Sequence, residues 1–172
     1  VVPLPLLERG LLLGEMGSCP VLIAPRDPVL QGDGVAREGV EALRAGWVPD
    51  PLISELQPVQ QLLALQQRHP ERQLRLMNLS TAAAVDLLGQ ADHQLKASVC
   101  WWHLLVDGSI LSSTDPGCRV RPSLGGASDR LSLRSALQSG LIQAVAVHAV
   151  PLDEEDMLLP ADQRPPGLSG HH

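Results

Sequence analysis

Apolar residues gather in four short runs, at residues 19–24, 73–78, 95–100 and 142–148, each six or seven residues long. Runs of that length predict buried parallel strands. Between them the spacing turns helical. Leu6, Leu7, Leu11, Leu12 and Leu13 give residues 4–16 an apolar face, closed by Gly17 and Ser18. A second helix is expected from Ser54 or Pro58 to Gln67, where Val59, Leu62, Leu63 and Leu65 follow the 3.6-residue period loosely. His69-Pro70 stops it, because the residue before proline is biased away from helical backbone. Ser80 or Thr81 caps a helix over residues 82–88. Ser128 or Asp129 opens another that runs to about Ser139 and ends at Gly140. Residues 25–58 form a Gly- and Pro-rich connection of a length that usually carries function or a short helical excursion. Residues 101–107 are apolar, residues 114–118 a turn, and Val120 sits in a short extended stretch. The acidic run at 153–156 reads as a solvated loop or a first helical turn, and residues 160–170 as loop. Helix and strand thus alternate four times, which predicts an α/β fold around a parallel sheet.

Composition narrows the class. At 172 residues and 44% hydrophobic, the chain suffices for one globular domain with a real core. It has no Phe or Tyr and three Trp, so that core must be Leu, Val, Ala and Ile. A net charge of −6 argues against non-specific nucleic-acid binding. No apolar run approaches the ~20 residues that span a bilayer, so no membrane association is expected. The opening Val1-Val2-Pro3-Leu4-Pro5 lacks the basic segment and cleavage site of a signal peptide. Three scattered cysteines, Cys19, Cys100 and Cys118, fit a reducing cytoplasm better than a disulfide framework. His171-His172 is either the start of a purification tag or native sequence after Gly170, and is not a metal site in either case.

In a barrel enzyme the chemistry sits at the carboxyl ends of the strands. Those ends read Ala24-Pro25-Arg26-Asp27, Asn78-Leu79-Ser80-Thr81, Trp101-Trp102-His103 and His148-Ala149-Val150-Pro151. Arg26, Arg119 and Arg121 either line a basic mouth suited to a carboxylate or phosphate or are surface arginines. His103 is a pocket residue or a hydrogen-bonded support for a loop. For Trp101 and Trp102 the roles open are pocket floor, subunit contact and core. His69 and His93 flank loops and are expected in solvent. Asp33, between two glycines, is explained by turn chemistry alone. Two motif readings fail. Residues 32–39 have the third Gly of a dinucleotide fingerprint displaced, and Cys100 with His103 has no second Cys-His cluster to complete a zinc site.

The chain resembles the second half of dihydroorotases, members of the amidohydrolase superfamily of metal-dependent barrel hydrolases, and looks most like their cyanobacterial dihydroorotase-like branch. The resemblance rests on residues 20–27, 32–39, 78–82, 97–107, 119–124, 128–130, 142–151 and 165–167. It implies residues 1–170 as the C-terminal part of a single (β/α)8 barrel of the TIM type. It also implies a family reaction, the zinc-dependent interconversion of carbamoyl aspartate and dihydroorotate in pyrimidine biosynthesis. The family's His-x-His motif and bridging ligand have no counterpart in these residues. Where active members have His-Ala-Glu-Asp this chain has Ala24-Pro25-Arg26-Asp27, and where they have His-Val-Ser-Thr it has Asn78-Leu79-Ser80-Thr81. Both changes remove a metal-binding imidazole. Where the family has Asp-His-Ala-Pro, a gap-free match puts His148 at the catalytic Asp. Arg121 replaces the family's substrate-binding Asn.

Taken as resemblance, this implies a metal site dismantled at Ala24 and Asn78, with no cofactor expected in this chain. His148 is then the remaining catalytic candidate, and Arg26, Asp27, His103 and Arg121 are the pocket candidates. The expected role is that of a non-catalytic subunit or scaffold, with aspartate transcarbamoylase or a second copy as partner. The alternative is a working zinc enzyme hydrolysing dihydroorotate, in which other residues supply most ligands. Four strands of a closed barrel also leave two unpaired edges, which predicts pairing with another chain or a covering segment.

Overall fold

The computed structural model describes residues 3–13, 17–91, 95–111, 119–147, 150–160 and 162–169. Its centre is a four-stranded, all-parallel sheet in the order β1-β4-β5-β6. These strands are β1 (Val21–Ile23), β4 (Leu74–Leu79), β5 (Lys96–Cys100) and β6 (Ala144–Ala146). All four fall on the apolar runs, and the expected α/β class holds. Helices α1 (Leu4–Leu12), α4 (Ile53–Arg68), α5 (Ala82–Gln90) and α7 (Ala127–Gln138) supply the covering layer. Leu11, Val59, Leu62, Leu88 and Leu133 from the helices meet Leu74, Leu76, Leu79, Ala97 and Val99 from the sheet in one continuous core. An aliphatic core follows directly from a sequence without Phe or Tyr.

The helix starts obey local chemistry. Thr81 caps α5 through its hydroxyl, which accepts from the Ala84 N–H at 3.2 Å. Asp129 lies in the first turn of α7, yet its carboxylate serves two helices. Oδ2 accepts from the Gly126 N–H at 2.8 Å and Oδ1 from the Ala82 N–H at 2.7 Å, binding the amino ends of α5 and α7 together.

Residues 25–58 are more ordered than a loop. They hold α2 (Pro28–Gln31), α3 (Val40–Ala45) and a small parallel pair, β2 (Ala36–Arg37) with β3 (Pro49–Asp50). Helix α4 begins at Ile53 and runs through Pro58. Proline at that point cannot donate to the Ser54 carbonyl four residues back, and the Asp27 N–H takes that carbonyl instead at 2.8 Å. The loop after β1 is thereby stitched to α4. Short elements complete the chain: α6 (Trp102–Leu105), a 3-10 turn (Gly108–Ile110), β7 (Pro151–Leu152), α8 (Glu154–Met157) and β8 (Leu168–Ser169), with β8 pairing to β7. So the acidic run forms a helical turn, and part of the tail is a strand. The turn expected at 114–118, together with Cys118, His93, His148, His171 and His172, lies outside the described residues.

One exposure expectation is overturned. His69 is buried, because it closes the last turn of α4 with its N–H on Leu65 and Gln66. Its ring lies 3.8 Å from Glu8 and 3.8 Å from Glu71.

Candidate functional site

At the carboxyl ends of β1 and β4 sits a buried chain of alternating charges: Asp50, Arg37, Glu55 and Arg26. Glu55, in the first turn of α4, is fully buried. Its Oε1 accepts the Ser80 N–H at 2.8 Å, and its Oε2 accepts the Ser80 hydroxyl at 2.6 Å. Arg26 pairs with the same Oε2 at 2.9 Å, and Arg37 at 3.5 Å. The Ser80 hydroxyl in turn accepts from Arg26 Nη2 at 3.1 Å and Arg37 Nη2 at 3.0 Å. Farther in, Arg37 pairs with Asp50 at 3.3 Å, and Asp50 also accepts from Ser54 at 2.7 Å and Gln31 at 3.4 Å. Burial alone would push the Glu55 carboxyl up, but Arg26, Arg37 and both Ser80 hydrogen bonds outweigh it and hold the group below the usual carboxylate range. Burial lowers the Arg37 pKa.

The sequence-predicted residues fall around this network in distinct ways. Arg26 is at the site but is neither a surface arginine nor a free cation awaiting an anion: Glu55 holds one end of its guanidinium, and the other end donates to the Asn78 carbonyl at 3.1 Å. Buried Arg37 and half-buried Arg26 face two buried carboxylates, which leaves no net charge for a small anion. Asp27 does not point into a pocket. Its Oδ1 caps α2, accepting from Val29 N at 2.8 Å and Leu30 N at 3.1 Å. Arg121 is exposed, immediately before Pro122. Arg119 faces the tail, donating to the carbonyls of Asp162 and Arg164. Ala24 is exposed and offers a methyl group.

Asn78 is the one described non-glycine residue at positive φ, 57°. It occupies an irregularity in the β4–β5 ladder: Leu76 pairs with Ala97 but Leu79 pairs with Val99, so β4 carries one extra residue there. Its amide N–H goes to the Ser98 hydroxyl at 3.0 Å.

His103 is buried on α6, with Nε2 3.0 Å from the Pro122 carbonyl. A carbonyl only accepts, so Nε2 carries the hydrogen. Burial, reinforced by the nearby charge of Arg26, pushes its pKa down to about 4, against weaker support from the Pro122 and Ser123 backbone. The ring is therefore neutral at pH 7. Beside it, Trp101 and Trp102 pack edge to face with centroids 4.7 Å apart.

Sequence reasoning missed Glu55, Arg37, Asp50 and Ser80 as the centre of this region. An acid in the first turn of a helix is ordinary, and nothing local marks Glu55 as buried.

No family model matches the chain. It is similar to a probable dihydroorotase-like protein of Synechocystis sp., 35% identical over 96% of this chain and 40% of the relative. A dihydroorotase of Mycobacterium tuberculosis is 34% identical over 87% of this chain and 36% of its own length. The chain belongs to the dihydroorotase family. It spans about two-fifths of the length of these relatives. The D-hydantoinase of Bacillus sp. AR9 superposes with a TM-score of 0.78 at 19% identity, over 98% of this chain and 39% of the hydantoinase. That likeness identifies the four-stranded sheet and its helices as part of a TIM-type barrel.

The dihydroorotase family is metal-dependent, but the donors described here do not fit a metal. Among the described residues no group of three or more His, Cys, Asp or Glu is placed to hold an ion. The strand ends offer a methyl at Ala24 and a neutral amide at Asn78, and a fixed guanidinium lies hydrogen-bonded to the carbonyl of that same Asn78. A dication set beside Arg26 would meet like charge in a buried setting. No helix among the described residues is long and apolar enough to cross a membrane.

Proposed function

We propose that this chain is part of a dihydroorotase-like protein that has lost the ring-opening reaction and acts as a non-catalytic subunit. The observation that supports this most is Arg26: its guanidinium, held by Glu55, donates to the backbone of Asn78, at the end of the strand where the family resemblance places a metal-binding imidazole. The residues do what a structural lock does. Glu55 and Ser80 fix two arginines, the arginines fix the ends of β1 and β4, and none of these groups is left free to move a proton. His103, neutral and bonded to Pro122, supports a loop.

A scaffold role for aspartate transcarbamoylase, the pyrimidine-pathway partner suggested by the resemblance, is the form of this reading we favour. The decisive measurement is the rate of dihydroorotate ring opening by the whole gene product, with zinc present, against a no-enzyme blank. The expected rate equals the blank. A zinc-dependent rate well above it would overturn the proposal in favour of a working zinc amidohydrolase, with His148 the first residue to substitute. The scaffold form is checked separately by sedimentation of the gene product mixed with aspartate transcarbamoylase, where one faster boundary is expected and two independent boundaries would remove that partner.

A further inference from the structure

The sheet has a second face, and it carries two cations at one level. Leu74, Leu76, Ala97 and Val99 belong to the helix-side core. Side chains alternate along a strand, so Leu22, Arg75, Met77, Lys96 and Ser98 lie on the opposite face. Register places Leu22 beside Arg75 and Arg75 beside Lys96. Like charges directly opposite one another on neighbouring strands are destabilising. Among the described residues neither cation forms an ion pair. Among the described residues Arg75 Nε is also buried without a hydrogen-bond partner. The two cations line a 240 Å³ recess with Arg72 and Glu71. Arg72 is engaged by the carbonyls of Leu11 and Gly17, and the contact of Glu71 is with His69. Leu22 is 60% exposed, although parallel sheets are normally covered on both faces.

We propose that this face is an interface for the remaining strands of the barrel, and that the polypeptide covering it presents an Asp or Glu carboxylate to Arg75 and Lys96. Three observations select that occupant. The outer strands β1 and β6 each have one neighbour in the described sheet. The relatives are longer than this chain, which spans 40% of one and 36% of another. Covering the face with apolar groups alone would bury two uncompensated cations, which is strongly unfavourable. A carboxylate between them satisfies both charges and the free Nε of Arg75. The inference rests on the barrel fold and is independent of whether the protein is catalytic.

The test uses the gene product that carries this chain and compares thermal midpoints of Lys96→Gln, Lys96→Glu, Arg75→Met and Arg75→Glu, with and without inorganic phosphate. Each reversal to Glu is expected to fall below its neutral counterpart by roughly 5 °C or more, with phosphate leaving the wild type unchanged and all variants monomeric. Lys96 is the first residue of β5, so Lys96→Glu is the milder reversal and decides the matter if Arg75→Glu does not accumulate. Reversals no less stable than the neutral variants would overturn the proposal, since the cations would then be solvated. A rise in the wild-type midpoint with phosphate that Lys96→Glu abolishes would overturn it in favour of a small anion. A wild-type dimer that Lys96→Glu splits would overturn it in favour of a second copy.

Discussion

Glu55, itself fully buried, is the shared counter-ion of the two guanidiniums of Arg26 and Arg37. Replacing it by an isosteric amide keeps the volume and removes the charge, leaving Arg26 and Arg37 facing Ser80 with Asp50 paired to Arg37 alone. Breaking a buried pair from one side costs about 3–5 kcal/mol, so Glu55→Gln is expected to lower unfolding free energy by that order in a urea titration. A loss under about 1 kcal/mol, the size of an exposed pair, would show the network to be solvated. His103 gives a pH signature. Its pKa falls from 6.5 to about 4 on folding, so between those values the unfolded chain binds the proton that the folded chain refuses. Stability therefore declines as pH falls through that window, by about 3 kcal/mol in all, and His103→Gln is expected to flatten that limb in urea midpoints measured across it. Glu55 has the acid's sign: its stabilisation is present above the unfolded carboxyl pKa and is lost as pH falls through the lower folded value, so its limb lies below that of His103. Residue identity at the strand ends was legible in the sequence, because Ala24 and Asn78 can be read directly as poor metal donors. The pairing of Arg26 was not. Its partners Glu55, Asn78 and Ser80 lie 29, 52 and 54 residues away, and no local pattern encodes such a contact.

Elements show where local sequence is enough and where it is not. The four strands and the starts of α5 and α7 were readable because an apolar run, a capping Thr81 and an acidic first turn act within a few residues. The β2–β3 pair and helices α2 and α6 were not, because elements of two to four residues leave no periodicity to detect. The sequence leaves the start of α4 open between Ser54 and Pro58 for a physical reason: proline is a good start signal and a poor interior residue. Its interior position is made tolerable by the Asp27 N–H, which occupies the carbonyl proline leaves open. Pro58→Ala is accordingly expected to change stability by less than about 1 kcal/mol, against the ~3 kcal/mol typical of proline inside a helix. A gain near the full amount in urea unfolding would mean that the Asp27 bond does not compensate. The bulge in β4 makes a sharper prediction. Asn78 tolerates φ of 57° better than a branched residue does. Asn78→Gly should therefore leave the urea midpoint nearly unchanged, whereas Asn78→Val should cost about 1–2 kcal/mol. Equal losses in the two variants would assign the role of Asn78 to its side-chain amide instead of its backbone.

At the scale of the whole molecule, the uneven burial of the sheet is the governing fact. Leu79 and Val99 on the central strands are fully buried, whereas Leu22 on β1 and Val145 on β6 are 60% and 45% exposed, and Val147 just beyond β6 is 69% exposed. Each outer strand also has a backbone edge without a described neighbour. An edge combined with apolar side chains is a template for another chain. The 172 residues expressed by themselves are therefore expected to self-associate, with a sedimentation coefficient that rises with protein concentration. Lysine on an edge strand opposes such pairing through charge and solvation, so Leu22→Lys with Val145→Lys should shift the boundary toward the monomer. Circular dichroism of the double variant should stay that of the parent, since neither side chain belongs to the buried core. A parent that sediments as a monomer at every concentration would show that the edges are already closed by residues of this same chain, and the expectation of an external partner at β1 and β6 would then fail.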